Sequence, residues 1–455
     1  MTTKPLGAAS SSTDGPRPVD AGEPRERTPW LLGFLCLLIP ILPSFSVLPG
    51  PLKSNGSPAK LIAVLLFGLV MLGFVFVRRT ASSRSIRPGV VIMLLYLLLQ
   101  LAIYGVGLHR VDNAVVQGSM TRALINLVAN VGVALYIIVR VRTARGRNFV
   151  LGCLATGLAF ACLVGLLQSV ANIDLRFLFQ PPGFVTNSDE LEMGERWGAK
   201  RVVGTSQHAI EFSVLAAVAV PLAIYFARNA AKRQVRWAAV AACGLALVSM
   251  PAAVSRTGII ALATAFLVYM WNFNVRQLAI GLAVGCTVLA VYIATFPDIA
   301  IALWNTTVAS ETDPSVLSRT SDYAMVSQTF REHPVFGLGL GATPPTVYGY
   351  LDNEFLQAVV QGGIVGVAAI MVLAAGGIFG IAAALRGATT TREREQAYSL
   401  GSIFIAIIVC ASTFDLFNFQ QVTRILFVIF GLLWSNFAVP LQESETAPAD
   451  SHSDH

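Results

Sequence analysis

Long apolar runs separated by short polar segments make up most of the sequence after residue 29. Twelve of them approach the roughly 17 to 25 residues that a helix needs to cross a bilayer. They are Trp30–Leu48, Leu61–Val77, Val90–Leu108, Ala123–Val139, Val150–Val170, Phe212–Ala227, Trp237–Met250, Gly258–Met270, Leu278–Phe296, Phe355–Leu385, Ser399–Phe414 and Ile425–Phe437. The seventh and eighth are short and separated only by PAAVSRT, so they form either a tight hairpin or a broken pair. The pattern predicts an all-α, polytopic membrane bundle of about 12 transmembrane helices.

Composition agrees with a membrane protein and excludes other classes. Hydrophobic residues make up 55% of the 455 residues and charged residues only 13%, which lies outside the balance of soluble domains. The formal net charge is +7, but the basic residues form short clusters between apolar runs, so no nucleic-acid partner is expected. All six cysteines lie inside apolar runs without CxxC spacing, which predicts neither a disulfide nor a cysteine-bound metal.

The distribution of lysine and arginine predicts the orientation. With the N-terminus inside, 20 of the 32 basic residues fall in cytosolic segments and crowd the short loops. Residues 1–29 and 440–455 are then cytosolic tails, and residues 30–439 form the membrane domain. The first tail is expected to be disordered because it is rich in Pro, Ser, Thr and Gly. The two long loops, 171–211 and 297–354, are predicted to face outward.

The apolar runs themselves contain no Asp, Glu, Lys or Arg. Transporters that couple to ions commonly carry ionisable groups near the middle of the bilayer, so their absence argues against that class. Chemistry is therefore expected at the outer membrane surface. The longest polar interruption, residues 310–354, is the first region to search.

Within that stretch, Asp313 and Pro314 predict the start of a helix that continues to Glu332. This helix would lie along the membrane surface. Arg319 on it offers a planar cation suited to phosphate oxygens. The alternative role for Arg319 is a simple ion pair with Asp322.

His333 and Pro334 end the predicted helix and are followed by GLGLG. Gly337, Gly339 and Gly341 would let backbone amides approach an anion. Without a surrounding strand and helix, however, such a run more often forms a flexible turn. His333 is either a base or, more commonly, a capping or packing histidine.

Asp352 and Asn353 stand where the next apolar run begins. Either residue is a common N-cap, and one cap leaves the other for a substrate. Asp352 is therefore either a cap or a general base at the membrane surface. Glu354, Gln357 and Gln361 would continue into the membrane as one polar stripe.

The other long loop ends in GAKRVVGTSQHAIEF, which carries Arg201, His208 and Glu211 before a span. His208 and Glu211 at a spacing of three suggest an acid–base pair or a metal site, but no third ligand is near, and no metal or cofactor is expected.

Arg256 lies alone in VSRTG between two runs. It either contacts lipid head groups or meets Arg201 and Arg319 to grip a pyrophosphate.

Three blocks of sequence resemble motifs of the O-antigen ligase/polymerase superfamily of bacterial surface-glycan enzymes, in the family's order. RVVGTSQHAIEF resembles its R-x-x-G-T motif before a span, and VSRTG resembles its S-R-G hairpin. SRTSDYAMVSQTFREHPVFGLGLG with LDNEFLQAVVQGGIVG resembles its large-loop signature. The resemblance covers roughly residues 195–380, and the remainder agrees in topology.

The resemblance implies a GT-C-like membrane glycosyltransferase that acts without a metal on glycans linked to polyprenyl pyrophosphate. By position, Arg201, Arg256 and Arg319 would hold the donor pyrophosphate, and Asp352 would position or deprotonate the acceptor hydroxyl. A tunnel between spans would hold the lipid tail. The further predicted substrate-binding residues are His208, Glu211, His333, Gly339, Gly341 and Asn353.

The chain departs from the family pattern at two places. Lipopolysaccharide ligases of this family usually carry His-Asn at the start of the tenth span, where this chain has Asp352-Asn353, and this favours a polymerase. The family's frequent Pro-Asn after the first arginine motif is Ala209-Ile210 here, so no role is transferred to that pair.

Asp415, in FDLFNFQQ, is predicted to be a solvated turn carboxylate.

The leading hypothesis is a polymerase that joins lipid-linked repeat units at the outer face of the bacterial cytoplasmic membrane. Its partners would be a polyprenyl-pyrophosphate-linked glycan donor, a glycan acceptor and the surrounding membrane lipids. One alternative is a ligase that transfers the glycan to lipid A core or to a protein hydroxyl. The others are a transporter or flippase of lipid-linked sugars and a noncatalytic scaffold among envelope assembly proteins.

Overall fold

A computed structural model describes residues 28–50, 53, 55–76, 85–187, 193–308, 314–435 and 439–440. The predicted tails, residues 1–29 and 440–455, lie almost wholly outside these ranges, so their disorder stays a prediction.

Helices form most of the described chain. They are α1 (Trp30–Ile41), α2 (Pro58–Phe76), α3 (Pro88–Leu108), α4 (Ala114–Arg140), α5 (Ala144–Ala171), α6 (Ala209–Asn229), α7 (Arg233–Ser249), α8 (Arg256–Tyr269), α9 (Val275–Thr295), α10 (Pro297–Val308), α11 (Pro314–Glu332), α12 (Pro345–Tyr348), α13 (Glu354–Arg386), α14 (Thr391–Cys410) and α15 (Gln420–Trp434). Two-residue strands pair in antiparallel fashion: β1 (Ser46–Val47) with β3 (Val185–Thr186), β2 (Ser85–Ile86) with β6 (Val439–Pro440), and β4 (Glu195–Arg196) with β5 (Ala199–Lys200).

Eight helices in the described ranges are long and apolar enough to cross a membrane, namely α2 to α7, α9 and α13. The helices α1, α8 and α15 have only 12, 14 and 15 residues, and α14 begins with the charged sequence TRERE. The structure therefore confirms a helical membrane protein. The count of twelve spans stays a prediction.

The first helix is shorter than its apolar run, which was predicted to span as far as Leu48. It ends at Ile41, and Leu42 already has an extended conformation with φ −88° and ψ 131°. Pro43 explains the stop, because proline disfavours helical geometry in the residue before it and lacks the N–H that would continue the helix.

Segments that were predicted to face outward gather at one end of the bundle, which we call the loop end. It comprises the described parts of residues 42–57, 109–113, 172–208, 250–255, 296–353 and 411–419. Backbone hydrogen bonds join distant members of this set: Asn187 N donates to Phe45 O (3.1 Å), Val202 N to Ala252 O (3.0 Å) and Glu354 N to Ala411 O (2.8 Å). The chain thus alternates direction as predicted. Which end faces the cytosol stays a prediction.

The bundle is built around α6 and α15. Fourteen of the fifteen residues of α15 are buried, as expected for a helix that is surrounded by others. Small residues allow close approach elsewhere, since a Cβ on Gly132 would lie 2.4 Å from the Phe67 side chain. At the rim, Tyr292 is the one buried residue of α9.

The helix α13 is broken near its start, although its sequence was predicted to form one continuous span. Gly363 has φ 56° and ψ −142°, a combination that is open to glycine and strained for other residues. The break leaves a short helical segment, residues 354–362, at the loop end, and a longer segment, residues 364–386, that continues through the bundle.

Candidate functional site

Arg201 and the turn before Arg256 lie side by side at the loop end. Arg201 Nε donates a hydrogen bond to Ala253 O (3.1 Å), and Arg256 begins α8 three residues later. Val254 in this turn is fully buried and has φ 45°, which is strained for a β-branched residue. The fold therefore brings two of the three predicted arginines to neighbouring turns.

The third predicted arginine, Arg319, lies on α11. This helix begins at Pro314, as the sequence predicts, and Val326 on it packs against Leu351 and Val360. Asp313 and the side chain of Arg319 lie outside the described residues. The convergence of Arg319 with the other two arginines stays a prediction.

His208 is the N-cap of α6. Its Nδ1 atom accepts a hydrogen bond from Ile210 N (3.1 Å), and its ring packs against Phe419 with centroids 5.8 Å apart. Burial, and after it the Arg201 cation, lower the pKa of His208 to about 4. At neutral pH His208 is an uncharged cap that stands close to Arg201.

Glu211 joins the two central helices. It is fully buried, and its carboxylate accepts hydrogen bonds from Gln421 N on α15 (2.8 Å) and from Gln207 N (3.4 Å). The Arg424 cation also acts on it electrostatically. These contacts stabilise the fold, and the predicted acid–base pairing of Glu211 with His208 is not seen.

The GLGLG segment fills the break in α13. Four hydrogen bonds join α13 to this segment and to the two residues Pro334 and Val335 shortly before it: Leu338 N to Val360 O (2.9 Å), Gly339 N to Gln361 O (2.8 Å), Ile364 N to Pro334 O (2.9 Å) and Val365 N to Val335 O (3.1 Å). The carbonyls and amides that the break frees thus find partners, as buried backbone groups must. The glycine run is an interlocked turn, as the turn interpretation of the sequence favoured.

Glycine is required here because the turn touches neighbouring helices. A Cβ on Gly339 would lie 2.7 Å from Gly107 Cα, and one on Gly341 would lie 2.5 Å from Ala123 Cβ. The amide of Gly341 donates to Gln361 Oε1 (2.8 Å).

His333 lies at the edge of this turn. Its Nδ1 atom is 3.4 Å from a guanidinium nitrogen of Arg110, and the residue does not line the cavity described below.

Asn353 resolves the choice of N-cap at the start of α13. Its Oδ1 atom accepts hydrogen bonds from Phe355 N (2.9 Å) and Leu356 N (3.3 Å). Asp352 is not needed as the cap. It lies half-buried beside Asp415, and its charge contributes to raising the pKa of Asp415.

Glu354 and Asp415 form a pair of carboxyl groups that hydrogen-bond to each other. Glu354 Oε2 also accepts a hydrogen bond from Phe417 N (3.0 Å), and Gln357 Nε2 donates to Asp415 Oδ2 (3.4 Å). Burial raises the pKa of Asp415 to about 6. The prediction of a solvated turn carboxylate is wrong, because the 411–419 turn folds back over the start of α13.

The carboxyl pair lies in the wall of a cavity of about 480 Å³ at the loop end, a size typical of small-ligand sites. Glu354 and Gln361 of the predicted polar stripe line it, while Gln357 accepts a hydrogen bond from Thr343 Oγ1 (2.9 Å). The helices α2, α3 and α4 supply the opposite wall. Its polar members are Lys60, Tyr96, Gln100, Ser119, Arg122, Asn126 and Asn130.

Among those of the ten proposed residues whose side chains the structure describes, Gly341 is the one that lines this cavity. The apolar runs contain no charged residue, but the helices begin before the runs do. Their first two turns bury four charged residues, Lys60, Glu211, Glu354 and Arg424. Polar signals were also present within the runs, since Gln100, Asn126 and Asn130 interrupt apolar sequence.

Comparison with protein families found one region of similarity. A family model described as O-antigen ligase matches residues 241–385. The matched region begins within α7 and includes the Arg256 turn, α11, the glycine turn and α13. A search of curated proteins found no match.

Proposed function

Because residues 241–385 relate this chain to the O-antigen ligase/polymerase superfamily of surface-glycan enzymes, we propose that it is a glycosyltransferase that polymerises glycan linked to polyprenyl pyrophosphate. The observation that carries the proposal is the polar cavity at the loop end, whose wall contains the coupled carboxyls Glu354 and Asp415. A sugar acceptor needs many hydrogen-bonding groups and a proton acceptor, and this cavity supplies both.

The donor pyrophosphate is held by Arg201, Arg256 and Arg319. The adjacency of Arg201 to the Arg256 turn supports this assignment, and the sequence resemblance adds Arg319. Guanidinium groups match phosphate oxygens in geometry and charge. They stabilise the negative charge that develops on the pyrophosphate as it leaves.

The acceptor hydroxyl attacks the anomeric carbon of the donor sugar. The new bond joins the acceptor oxygen to that carbon, and the bond from the carbon to the phosphate oxygen breaks with both electrons leaving on the pyrophosphate. The hydroxyl proton passes to Asp415, whose pKa near 6 suits a base at neutral pH. Glu354 shares a hydrogen bond with Asp415, and Asp352 positions the acceptor.

Purified protein with a lipid-linked oligosaccharide donor tests these roles. Arg256→Ala and Arg319→Ala are each expected to lower transfer by about 100-fold, the usual scale for one lost transition-state contact. Arg233→Ala is the control, because Arg233 is exposed at the other end of the bundle. If both Arg256→Ala and Arg319→Ala retain full activity, the pyrophosphate assignment is wrong.

A ligase is the second candidate, and the description of the matching family favours it. Against it, Asp352-Asn353 stands where lipopolysaccharide ligases of the family usually have His-Asn. A deletion strain separates the two. Acceptors that carry single repeat units indicate a missing polymerase, whereas free lipid-linked polymer with bare acceptors indicates a missing ligase.

We also propose that the chain has twelve spans in the bacterial cytoplasmic membrane, with both termini in the cytosol and the loop end outside. Alkaline phosphatase and green fluorescent protein fusions test this topology. Fusions after residues 112 and 250 should show phosphatase activity, and fusions after residues 142 and 230 should fluoresce. The reverse pattern would overturn the proposed orientation.

A further inference from the structure

Lys60 is a buried cation in the cavity wall. It is 2% exposed and is the third residue of α2, where the helix dipole disfavours positive charge. Its hydrogen bond within the described residues goes to the neutral Asn55 Oδ1 (3.2 Å). The charged groups that act on it are Arg122 and Arg424, both cations. Burial, helix position and neighbours are therefore all unfavourable for an ammonium group.

Two other buried cations of the described chain, Arg147 and Arg176, are paired with carboxylates, whereas the buried Arg424 donates to the neutral Gln420 Oε1 (2.9 Å). Arg147 meets Glu393 (3.4 Å), and Arg176 meets Asp174 (2.6 Å). The carboxyls that share the cavity with Lys60, Glu354 and Asp415, hydrogen-bond to each other. Because a buried charge is costly unless it is paired, the position of Lys60 indicates that an anion from outside the chain completes it.

Two asparagines beside Lys60 point to the kind of ligand. Asn126 and Asn130 lie one turn apart on α4, and both line the cavity. Their Oδ1 atoms are buried and accept no hydrogen bond from the part of the chain that the structure describes. Such acceptors suit the hydroxyl donors of a sugar, and Arg122 at the same wall adds a second cation.

We propose that Lys60 and Arg122 form an anion subsite, and that Asn126 and Asn130 bind hydroxyls of the same ligand. The ligand is an anionic glycan substrate, and its negative group is either the acid of a sugar or the donor pyrophosphate. This inference rests on the proposed function. A sugar acid at this subsite is a substrate charge that neither the arginine assignment nor the carboxyl pair requires, whereas a pyrophosphate there gives the donor cation contacts besides the three arginines.

Binding to the purified full-length protein in detergent tests the subsite without depending on catalysis. The probes are trigalacturonate, its neutral methyl ester and farnesyl pyrophosphate. The variant is Lys60→Met, which keeps the length of the side chain and removes its charge. Lys53→Met, in the exposed loop before α2, is the matched control.

The wild-type protein should bind trigalacturonate more tightly than its methyl ester if the anion is a sugar acid. Lys60→Met should then weaken trigalacturonate binding roughly tenfold, as expected for one charge-assisted hydrogen bond, and leave the methyl ester unchanged. If Lys60→Met instead weakens farnesyl pyrophosphate by a similar factor, the subsite takes the donor pyrophosphate. Unchanged binding of both anions would overturn the anion subsite, even if the protein transfers glycan normally.

Thermal unfolding separates this role from a structural one. Removing an uncompensated buried charge should keep or raise the melting temperature of Lys60→Met. A melting temperature several degrees lower, together with weaker binding of all three probes including the methyl ester, would show that Lys60 supports the fold and would overturn the proposal. Failure of the proposed function itself would appear separately, as absence of glycan transfer by the wild-type protein.

Discussion

The two ends of the bundle bury charge in different ways. At the end opposite the loops, Arg228 meets Glu395 at 2.5 Å and Tyr269 OH donates to the same carboxylate at 3.3 Å. At the loop end, Lys60 faces a cavity with a neutral partner, and Glu354 and Asp415 have each other. The opposite end satisfies its charges internally. The loop end also contains an internal pair, Arg176–Asp174, but it leaves the charges of the cavity wall incomplete around an open space.

This difference separates residues that stabilise the fold from residues that act on a ligand. A buried pair within the protein has little capacity to bind anything else. Buried charges along a cavity lower stability, and natural proteins retain such groups mainly where a ligand uses them. Changes to the charged pairs at the opposite end should therefore affect stability, and changes to the charged residues of the cavity wall should affect binding and catalysis.

The largest expected effect is the loss of the Arg228–Glu395 pair. Arg228→Ala leaves the Glu395 carboxylate, whose side chain is 4% exposed, without its cation, but the Arg228 side chain is 35% exposed. Solvent screening therefore keeps the expected loss of unfolding free energy at the lower end of the range for a buried pair, about 3 kcal/mol. Unfolding in mixed micelles measures this loss. Arg233 lies on the same turn, and the ion pair with Glu395 belongs to Arg228, so the exposed control Arg233→Ala should change stability by less than about 0.5 kcal/mol. Equal stability of the two variants would remove the contrast between the ends.

The break in α13 gives the next effect. A Cβ on Gly363 would lie 2.4 Å from Pro334 O, at a positive φ, so Gly363→Ala should cost about 3 kcal/mol in unfolding free energy. Gly349 also has a positive φ of 77° but nothing within 4 Å of its Cβ position. Gly349→Ala isolates the backbone strain and should cost about 1 kcal/mol. If the two variants are equally stable, the interlocked turn does not hold the cavity wall.

The third effect is on the rate of glycan transfer, and it tests Asp415 in the cavity wall. Asp415→Asn should lower the rate of glycan transfer about 100-fold, or about 2.7 kcal/mol in activation free energy, with unfolding free energy reduced far less than in Arg228→Ala. Retained activity in Asp415→Asn would assign the proton to Asp352 or to another acceptor.

The pH dependence of Asp415 has a definite sign. Since the pKa of Asp415 is raised to about 6 in the folded protein, the base is charged only above that pH, and the transfer rate should rise through pH 6. The same raised pKa means that the Asp415 carboxyl binds its proton more tightly in the folded protein than in the unfolded chain. The protonated Asp415 therefore stabilises the fold below about pH 4, and this stabilisation is lost as the pH rises through 6. Asp415→Asn should abolish the rise in rate.

Sequence patterns predicted the membrane class, the positions of the helices and the alternation of their direction. These follow from the cost of exposing backbone polar groups to lipid, which is local to each run. The ends of helices were less predictable, because Lys60, Glu211 and Arg424 lie just outside the apolar runs yet are buried by neighbouring segments. That burial depends on tertiary contacts, which hydrophobicity along the chain does not report.

The candidate site was predictable in part. The turns of Arg201 and Arg256 and the Asp352-Asn353 pair were predicted to share one end of the bundle because each adjoins a span, and they lie together at the loop end. The carboxyl pair was missed, since Glu354 and Asp415 are far apart in sequence and meet only when the 411–419 turn folds over α13. Asn126 and Asn130 carried a usable signal, being polar residues one turn apart in an apolar run, as a cavity in a membrane bundle would require.

The smallest expected effect separates capping from chemistry at adjacent residues. Asn353→Ala removes the Oδ1 acceptor for Phe355 N and Leu356 N and should lower the free energy of unfolding by about 1 kcal/mol. Asp352→Asn should leave stability within about 0.5 kcal/mol and lower glycan transfer, because Asp352 lies beside Asp415 and does not form the cap. Chemical unfolding and transfer assays on both variants measure the two quantities. The reverse result, with stability lost in Asp352→Asn and activity lost in Asn353→Ala alone, would transfer the catalytic role to the amide.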